Sequence, residues 1–226
     1  MRKLFKRLLG SEPKHRIPPH MVWKDQEFFQ RAKKNHAVSG IPDIRCYFLQ
    51  SCIRSLEQIP GAVGECGVRE GKSALFMMEA SENRRDFYLF DSFEGLSDPI
   101  PLKDSIRSAF RKGDKHRRFA VEYEAVRSRL EKNPRFHVLK GWIPERFGEV
   151  SNKTFCLAHI DVDLYQPTLD SLNYFYPRLS QHGIIVCDDY GSGHYPGARL
   201  AFDEFFADKP EVPIELPQGQ CFIIKR

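Results

Sequence analysis

No C-x-x-C spacing occurs in this chain, and its six cysteines, at 46, 52, 66, 156, 187 and 221, mostly sit inside apolar runs. That pattern argues for free thiols in a reduced, cytoplasmic protein rather than a disulfide framework or a zinc site. No apolar run approaches the roughly 20 residues of a membrane-spanning helix. The opening MRKLFKRLLG has neither the apolar core nor the small-residue cleavage site of a secretory signal. Basic residues do not interleave with aromatics along one face, so the formal charge of +5 is not the footprint of a nucleic-acid binder. Internal repeats and low-complexity tracts are absent, and so is a G-x-G-x-x-G fingerprint, which weakens a dinucleotide reading.

The length of 226 residues, with 41% hydrophobic and 29% charged, fits one soluble domain with a substantial core. Much of the positive charge lies in Arg2, Lys3, Lys6, Arg7, Lys14 and Arg16, within a leader and helical extension over residues 1–40. Leu4, Phe5, Leu8 and Leu9 would share one helix face there, to pack on the body or to touch a membrane surface weakly. The proline-bearing 11-SEPKHRIPPH-20 reads as a linker. The main domain is placed at 41–226.

Helical periodicity runs from about residue 43 through Ile44, Tyr47, Phe48, Cys52, Leu56 and Ile59, and Pro60-Gly61 stops it. Apolar strand candidates follow at 62–68, 87–90, 136–139, 155–160, 184–187 and 221–224, with helices predicted at 72–80 and 168–179. Strands apolar throughout that alternate with helices indicate an α/β fold with a parallel sheet covered on both faces. Only 217-PQGQ-220 separates the last two strand candidates, too short for a parallel crossover, so an antiparallel hairpin is expected at this end. The charged stretch 97–135, interrupted by 111-RKGDKHRR-118, reads either as a solvated helix or as a lid.

Three constellations carry chemistry. In 64-GECGVREGKSA-74, Gly67 and Gly71 let backbone approach a ligand at a strand-to-helix turn, and Ser73 offers a hydroxyl. Asp91, ending the run FYLF, sits where an acid accepts both hydroxyls of a ribose, or else caps a helix. Asp161, Asp188 and Asp189 fall at the ends of neighbouring parallel strands. Carboxylates converging on one sheet edge repel unless a cation lies between them, and an oxygen-only set suits Mg²⁺ or Ca²⁺. Otherwise they cap helices or pair with Arg178 or Arg199. Asp163 is expected to point away from Asp188 and Asp189 or toward solvent, with Arg199 as a plausible partner.

Together, 64-GECGVREGKSA-74, 89-LFDSFEGL-96, 140-KGWIPE-145, 159-HIDVDLYQPT-168, 176-YPRLSQHGIIVCDDYG-191 and 197-GARLAFDEFF-206 resemble the macrocin O-methyltransferase (TylF-type) family. The likeness is collinear over about residues 45–226 and leaves out 1–20. It implies a class I methyltransferase fold, Rossmann-like and doubly wound, with a mostly parallel seven-stranded sheet and an antiparallel C-terminal hairpin. It also implies S-adenosylmethionine and Mg²⁺ as cofactors, a sugar or other small-molecule hydroxyl as acceptor, and a possible homo-oligomer. Carried onto this chain, Glu65, Cys66, Gly67 and Val68 would hold the methionine part of the cofactor. Asp91 would hold the ribose, Ser92 and Phe93 would lie near the adenosine, and Gly141 and Trp142 would contact adenine. Asp161, Asp188 and Asp189 would be the metal triad, with Asp161 the base and His194 orienting the acceptor. In one respect the chain departs from the family pattern: the stretch between Gly191 and Gly197 is longer.

Two rival readings remain at this level. Asp161-Val162-Asp163 is a D-x-D of the kind that holds a metal on a nucleotide-sugar diphosphate, although that leaves the glycine loop and Asp91 without a task. A non-catalytic cofactor-binding scaffold is the other, and it has no use for clustered carboxylates.

Overall fold

The computed structural model describes residues 19–104 and 119–226; the basic leader, its proposed amphipathic face and all of 105–118 lie outside the described residues. A short 3₁₀ helix (Pro19–Asp25) leads into α1 (Glu27–Asn35) and α2 (Asp43–Ser55). Then come β1 (Ala62–Cys66), α3 (Lys72–Ala80), β2 (Phe87–Asp91), α4 (Tyr123–Leu130) and β3 (Phe136–Lys140). β4 (Phe155–Ile160), α5 (Tyr165–Phe175), β5 (Leu179–Cys187) and α6 (Pro196–Phe206) follow, before β6 (Ile214–Glu215) and β7 (Cys221–Ile224).

One sheet of seven strands runs in the order β3-β2-β1-β4-β5-β7-β6. Its first five strands are parallel, and β7 pairs antiparallel with both β5 and β6, as the short 217–220 turn requires. Strand alternation sorts the apolar residues onto two faces. Phe87, Leu89, Leu157, Ile184 and Val186 pack with α2, α3 and α4. Tyr88, Phe90, Ala158, Ile160 and Ile185 pack with α5 and α6. Helices on both faces explain why β4 is buried at every residue, and why it reads as an unbroken apolar run. The order reverses between β1 and β4, so their carboxyl ends splay apart into the crevice where open α/β sheets bind ligands.

The N-terminal extension is part of this packing. Trp23, Phe28 and Phe29 surround Tyr47 with ring centroids 5.2–5.9 Å away, and Phe29 meets Phe76 of α3. All six cysteines are buried free thiols. Within the stretch 97–135, only the second half is helical among the described residues, as α4. Residues 97–104 form a loop that Asp104 fastens down. Its carboxylate accepts the backbone N–H of Ile100 and that of Tyr165, at 2.8 Å each. Since α5 has no side-chain cap from its own neighbours, Asp104 serves as its cap from a distance in sequence. No helix among the described residues is long and apolar enough to cross a membrane.

Candidate functional site

The turn after β1 is built by close backbone approach. Gly67 takes φ +87°, and a Cβ on it would lie 1.8 Å from the carbonyl oxygen of Asp161, so this loop and the loop after β4 touch only because residue 67 is glycine. Gly71, at φ +81°, opens α3 against the side chain of Leu130. Ser73, in the first turn of α3, turns its hydroxyl inward and donates to Glu65.

Asp91 ends β2 and holds the same loop. Its Oδ2 accepts the N–H groups of Val68 and Arg69, both at 2.7 Å, and its Oδ1 accepts that of Phe93 at 2.7 Å. A carboxylate has about four lone-pair sites, so one remains for a ligand hydroxyl. No helix follows Asp91 directly, which sets aside the capping alternative. Ser92 accepts the Glu94 N–H at 3.1 Å. Phe93, at φ +62°, is buried against Tyr123 rather than facing the ligand crevice.

Asp161, Asp188 and Asp189 come together where β4 and β5 end. Burial, with Asp188 and Asp189 close by, holds the Asp161 carboxyl well above the usual carboxylate range. Burial and the Asp188 charge push Asp189 up to about 6, although it shares a hydrogen bond with Asp161 and accepts the Asp163 N–H. The Asp189 Oδ2 is buried with no hydrogen-bond partner. Asp188 behaves oppositely. Burial works to raise it, but His159, Arg45 and Gln220 outweigh burial and hold it low. Crowded carboxylates, two of them kept from ionising easily and one with an orphaned oxygen, fit a divalent cation.

Arg178 and Arg199 do not supply the balancing charge. Arg178 donates to the carbonyls of Ser151 and Tyr174, and Arg199 reaches Asp203 and Glu215. Asp163 lines the same cavity as Asp188 and Asp189 instead of turning away. The strand ends at Ile160, so alternation no longer governs residue 163, whose φ is +62°.

Arg45 and His159 carry no role in the sequence reading, yet both are central. Arg45, from the first turn of α2, pairs with Asp188 Oδ2 and donates to the Gln218 carbonyl at 3.0 and 3.2 Å. Nothing local marks it, because its partners are 143 and 173 residues away. His159 is fully buried, with Nδ1 2.9 Å from Glu65 Oε1 and Nε2 3.3 Å from Asp188 Oδ1. Burial alone would lower its pKa; the hydrogen bonds to Asp188 and Glu65 reverse that and push it up to about 10. A polar residue inside the apolar run 155-FCLAHI-160 was the available signal.

A cavity of about 710 Å³ opens over these strand ends. Gly67, Val68 and Ser73 line it from the first loop, and Asp91 and Ser92 from the second. Gly141 and Trp142 line it after β3, and Asp161, Asp188 and Asp189 form its acidic corner. Four other expected cofactor residues, Glu65, Cys66, Gly71 and Phe93, stand behind that wall. His194 is exposed on the 191–197 loop and is not part of the cavity lining, while its neighbour Tyr195 is. His159, Asp161 and Asp188 place one donor atom each within 4.8 Å of one another.

A sheet of this order, with a ligand crevice at its switch point and a glycine loop after β1, defines a class I methyltransferase fold. The chain belongs to the macrocin O-methyltransferase (TylF) family, whose model matches residues 14–217 and so reaches into the 11–20 segment that the sequence motifs left out. Demethyldecarbamoylnovobiocin O-methyltransferase of Streptomyces niveus is 30% identical over 187 residues, 76% of this chain and 68% of that protein. A tetracenomycin rhamnosyl 4'-O-methyltransferase of Streptomyces olivaceus is 28% identical over 152 residues, 63% of this chain. The match spans only 58% of the length of that second relative. The solved O-methyltransferase NovP superposes with a TM-score of 0.67 at 26% identity, over 84% of this chain and 83% of its own. The calicheamicin methyltransferase CalS11 shares the fold, with a TM-score of 0.66 at 20% identity over 95% of this chain and 98% of its own.

Proposed function

We propose that this protein transfers the methyl group of S-adenosylmethionine to a sugar hydroxyl of a glycosylated natural product, with a bound Mg²⁺, in the cytoplasm. The observation that carries the reading is the orphaned Asp189 Oδ2 beside Asp161 and Asp188, in the same cavity as the Gly67 loop and Asp91. The rhamnosyl group in the name of the Streptomyces olivaceus relative supports a sugar-bearing acceptor. Six free buried cysteines suit a reducing compartment.

When bound, S-adenosylmethionine would supply an electrophilic methyl group on sulfur and Mg²⁺ would polarise the acceptor hydroxyl. The remaining work falls to the chain. Val68, Asp91 and Trp142 line the cavity that also holds the acidic corner, and would hold the donor there. Asp161, at the acidic corner of the cavity, would accept the hydroxyl proton at a carboxylate oxygen as the acceptor oxygen attacks. Asp188 and Asp189 would hold the cation with Asp161. His159 is no ligand in this scheme: with both nitrogens turned to carboxylate oxygens, both carry protons and neither offers a lone pair. His194, exposed and outside the cavity lining, takes no step in this scheme.

The test is calorimetric titration of S-adenosylhomocysteine with Mg²⁺ and with EDTA, then methylation of methyl α-L-rhamnopyranoside and larger rhamnosides. Binding in both conditions, with turnover only in Mg²⁺, is expected. Asp188→Ala with Asp189→Ala should abolish turnover and leave cofactor binding largely intact. Full turnover in EDTA removes the metal from the scheme.

A further inference from the structure

Glu65, His159 and Gln220 are buried polar residues that the scheme above does not use, and the buried Ser73 joins them from the cavity lining. They form a continuous line. Ser73 Oγ donates to Glu65 Oε1, and His159 Nδ1 lies 2.9 Å from that same oxygen. His159 Nε2 is 3.3 Å from Asp188 Oδ1, to which Gln220 Nε2 also donates at 2.7 Å. The sheet register places Glu65 of β1 directly beside His159 of β4. The line therefore crosses the sheet under the floor of the cavity, from the first turn of α3 at the glycine loop to an acid of the metal corner.

Stability does not account for it. Buried ion pairs are seldom more stabilising than well-packed apolar side chains of similar volume. Nor does direct ligand contact, since neither Glu65 nor His159 lines the cavity. What the arrangement does is fix the Asp188 carboxylate. His159 and Gln220 occupy both lone pairs of Oδ1, and Arg45 takes one on Oδ2, leaving a single lone pair directed at the corner.

We infer that His159 is a positioning residue that couples the donor loop to the metal corner. A ligand seated on the loop immobilises Ser73 and Glu65; these hold His159, and His159 holds Asp188 in the one orientation that serves a cation. By reciprocity, donor and cation tighten each other by the same factor. This rests on the donor and metal assignments proposed above, and adds that the two sites communicate through this line.

The experiment uses the full chain. S-adenosylhomocysteine is titrated by calorimetry in EDTA and in saturating Mg²⁺, and Mn²⁺ binding is followed by electron paramagnetic resonance with and without S-adenosylhomocysteine. In the unaltered protein each ligand should bind about 5- to 50-fold tighter when the other is present. His159→Gln keeps a polar side chain but cannot span both acids, and should bring that factor close to one while each ligand still binds alone. Ser73→Ala, a small change that cuts the line at its loop end, should also bring the factor close to one; because Ser73 lines the cavity, donor affinity itself should fall alike in EDTA and in Mg²⁺, and the ratio decides the matter if His159→Gln fails to fold. A factor of one in the unaltered protein overturns the inference, as does an unchanged factor in Ser73→Ala. Failure to bind S-adenosylhomocysteine or Mn²⁺ at all overturns the methyltransferase reading itself, a different result from binding without coupling.

Discussion

The Gly67 Cα and the Asp161 carbonyl oxygen are packed so closely that a methyl group on residue 67 would lie 1.8 Å from that oxygen. A further backbone bond, Asp161 N–H to the Cys66 carbonyl at 2.9 Å, locks the two loops at the same point. The donor side and the acid side of the cavity are thus joined backbone to backbone. Gly67→Ala should separate them. S-adenosylhomocysteine affinity should fall at least tenfold by calorimetry, and stability should drop by about 1–3 kcal/mol, the range for strained backbone. An alanine variant that binds like the unaltered protein would show that the loops need not touch.

Asp91 is expected to matter through the loop it clasps as well as through a ribose. Asp91→Ala leaves the N–H groups of Val68, Arg69 and Phe93 without their acceptor. The Arg69 N–H is exposed and can turn to water, but the part-buried N–H groups of Val68 and Phe93 cannot do so freely, and an unmade buried bond costs about 1–3 kcal/mol. The expected result is loss of measurable cofactor binding together with a lower unfolding midpoint. A defect in binding with an unchanged midpoint would make Asp91 a ligand contact alone.

Asp189 should weigh on the metal-free protein. Its Oδ2 has no partner and its neighbours are acids. Asp189→Asn removes a like charge from that corner, so in EDTA the melting temperature should rise, by about 2–4 °C per kcal/mol recovered. The same variant should lose the extra stabilisation that Mg²⁺ confers on the unaltered protein. A lower midpoint in EDTA would mean that the corner is not strained by charge.

The loop 97–104 is pinned at Asp104, and Gly197 leaves the room for it, since a Cβ there would meet Asp104 Oδ1 at 1.8 Å. Gly197→Ala should displace Asp104 and uncap α5, costing about 0.5–2 kcal/mol. S-adenosylhomocysteine affinity should stay within about twofold, because the donor loops lie on other elements; turnover of a rhamnoside should fall through a higher KM. Equal losses in donor binding would place Asp104 on the donor side instead.

The cysteines offer a simple check on the packing. Burial pushes Cys46 and Cys52 up to about 12, so thiolate is scarce in the folded protein at pH 8. Ellman's reagent should label almost nothing until guanidinium is added, and then six thiols. Native labelling of several thiols would contradict the buried placement.

Much of this architecture is written in local patterns. The apolar runs at 87–90 and 155–160 mark β2 and β4 because strands covered on both faces need no polar alternation. The acids after β4 and β5 are legible because carboxylates seldom end apolar strands without a reason. Arg45 is not legible, since its meaning comes from α2 folding beside β5 and the β6–β7 hairpin, far off in the chain. His159 was visible as an oddity, but its two partners exist only through the register of three strands. Asp163 defeated simple alternation because the strand stops three residues earlier. His194 came from family likeness alone, and no local pattern supports it.

The chain has only two tryptophans, and the fold has put them to separate uses. Trp23 is wedged among Phe29 and Tyr47, where the N-terminal extension meets α2. Trp142 stands 36% exposed on the cavity wall. Excited at the indole band, the protein therefore glows from two addresses. Replacing either indole by phenylalanine leaves a single-colour lamp, one lit by the docking of the extension and the other dimmed or brightened by whatever enters the cavity.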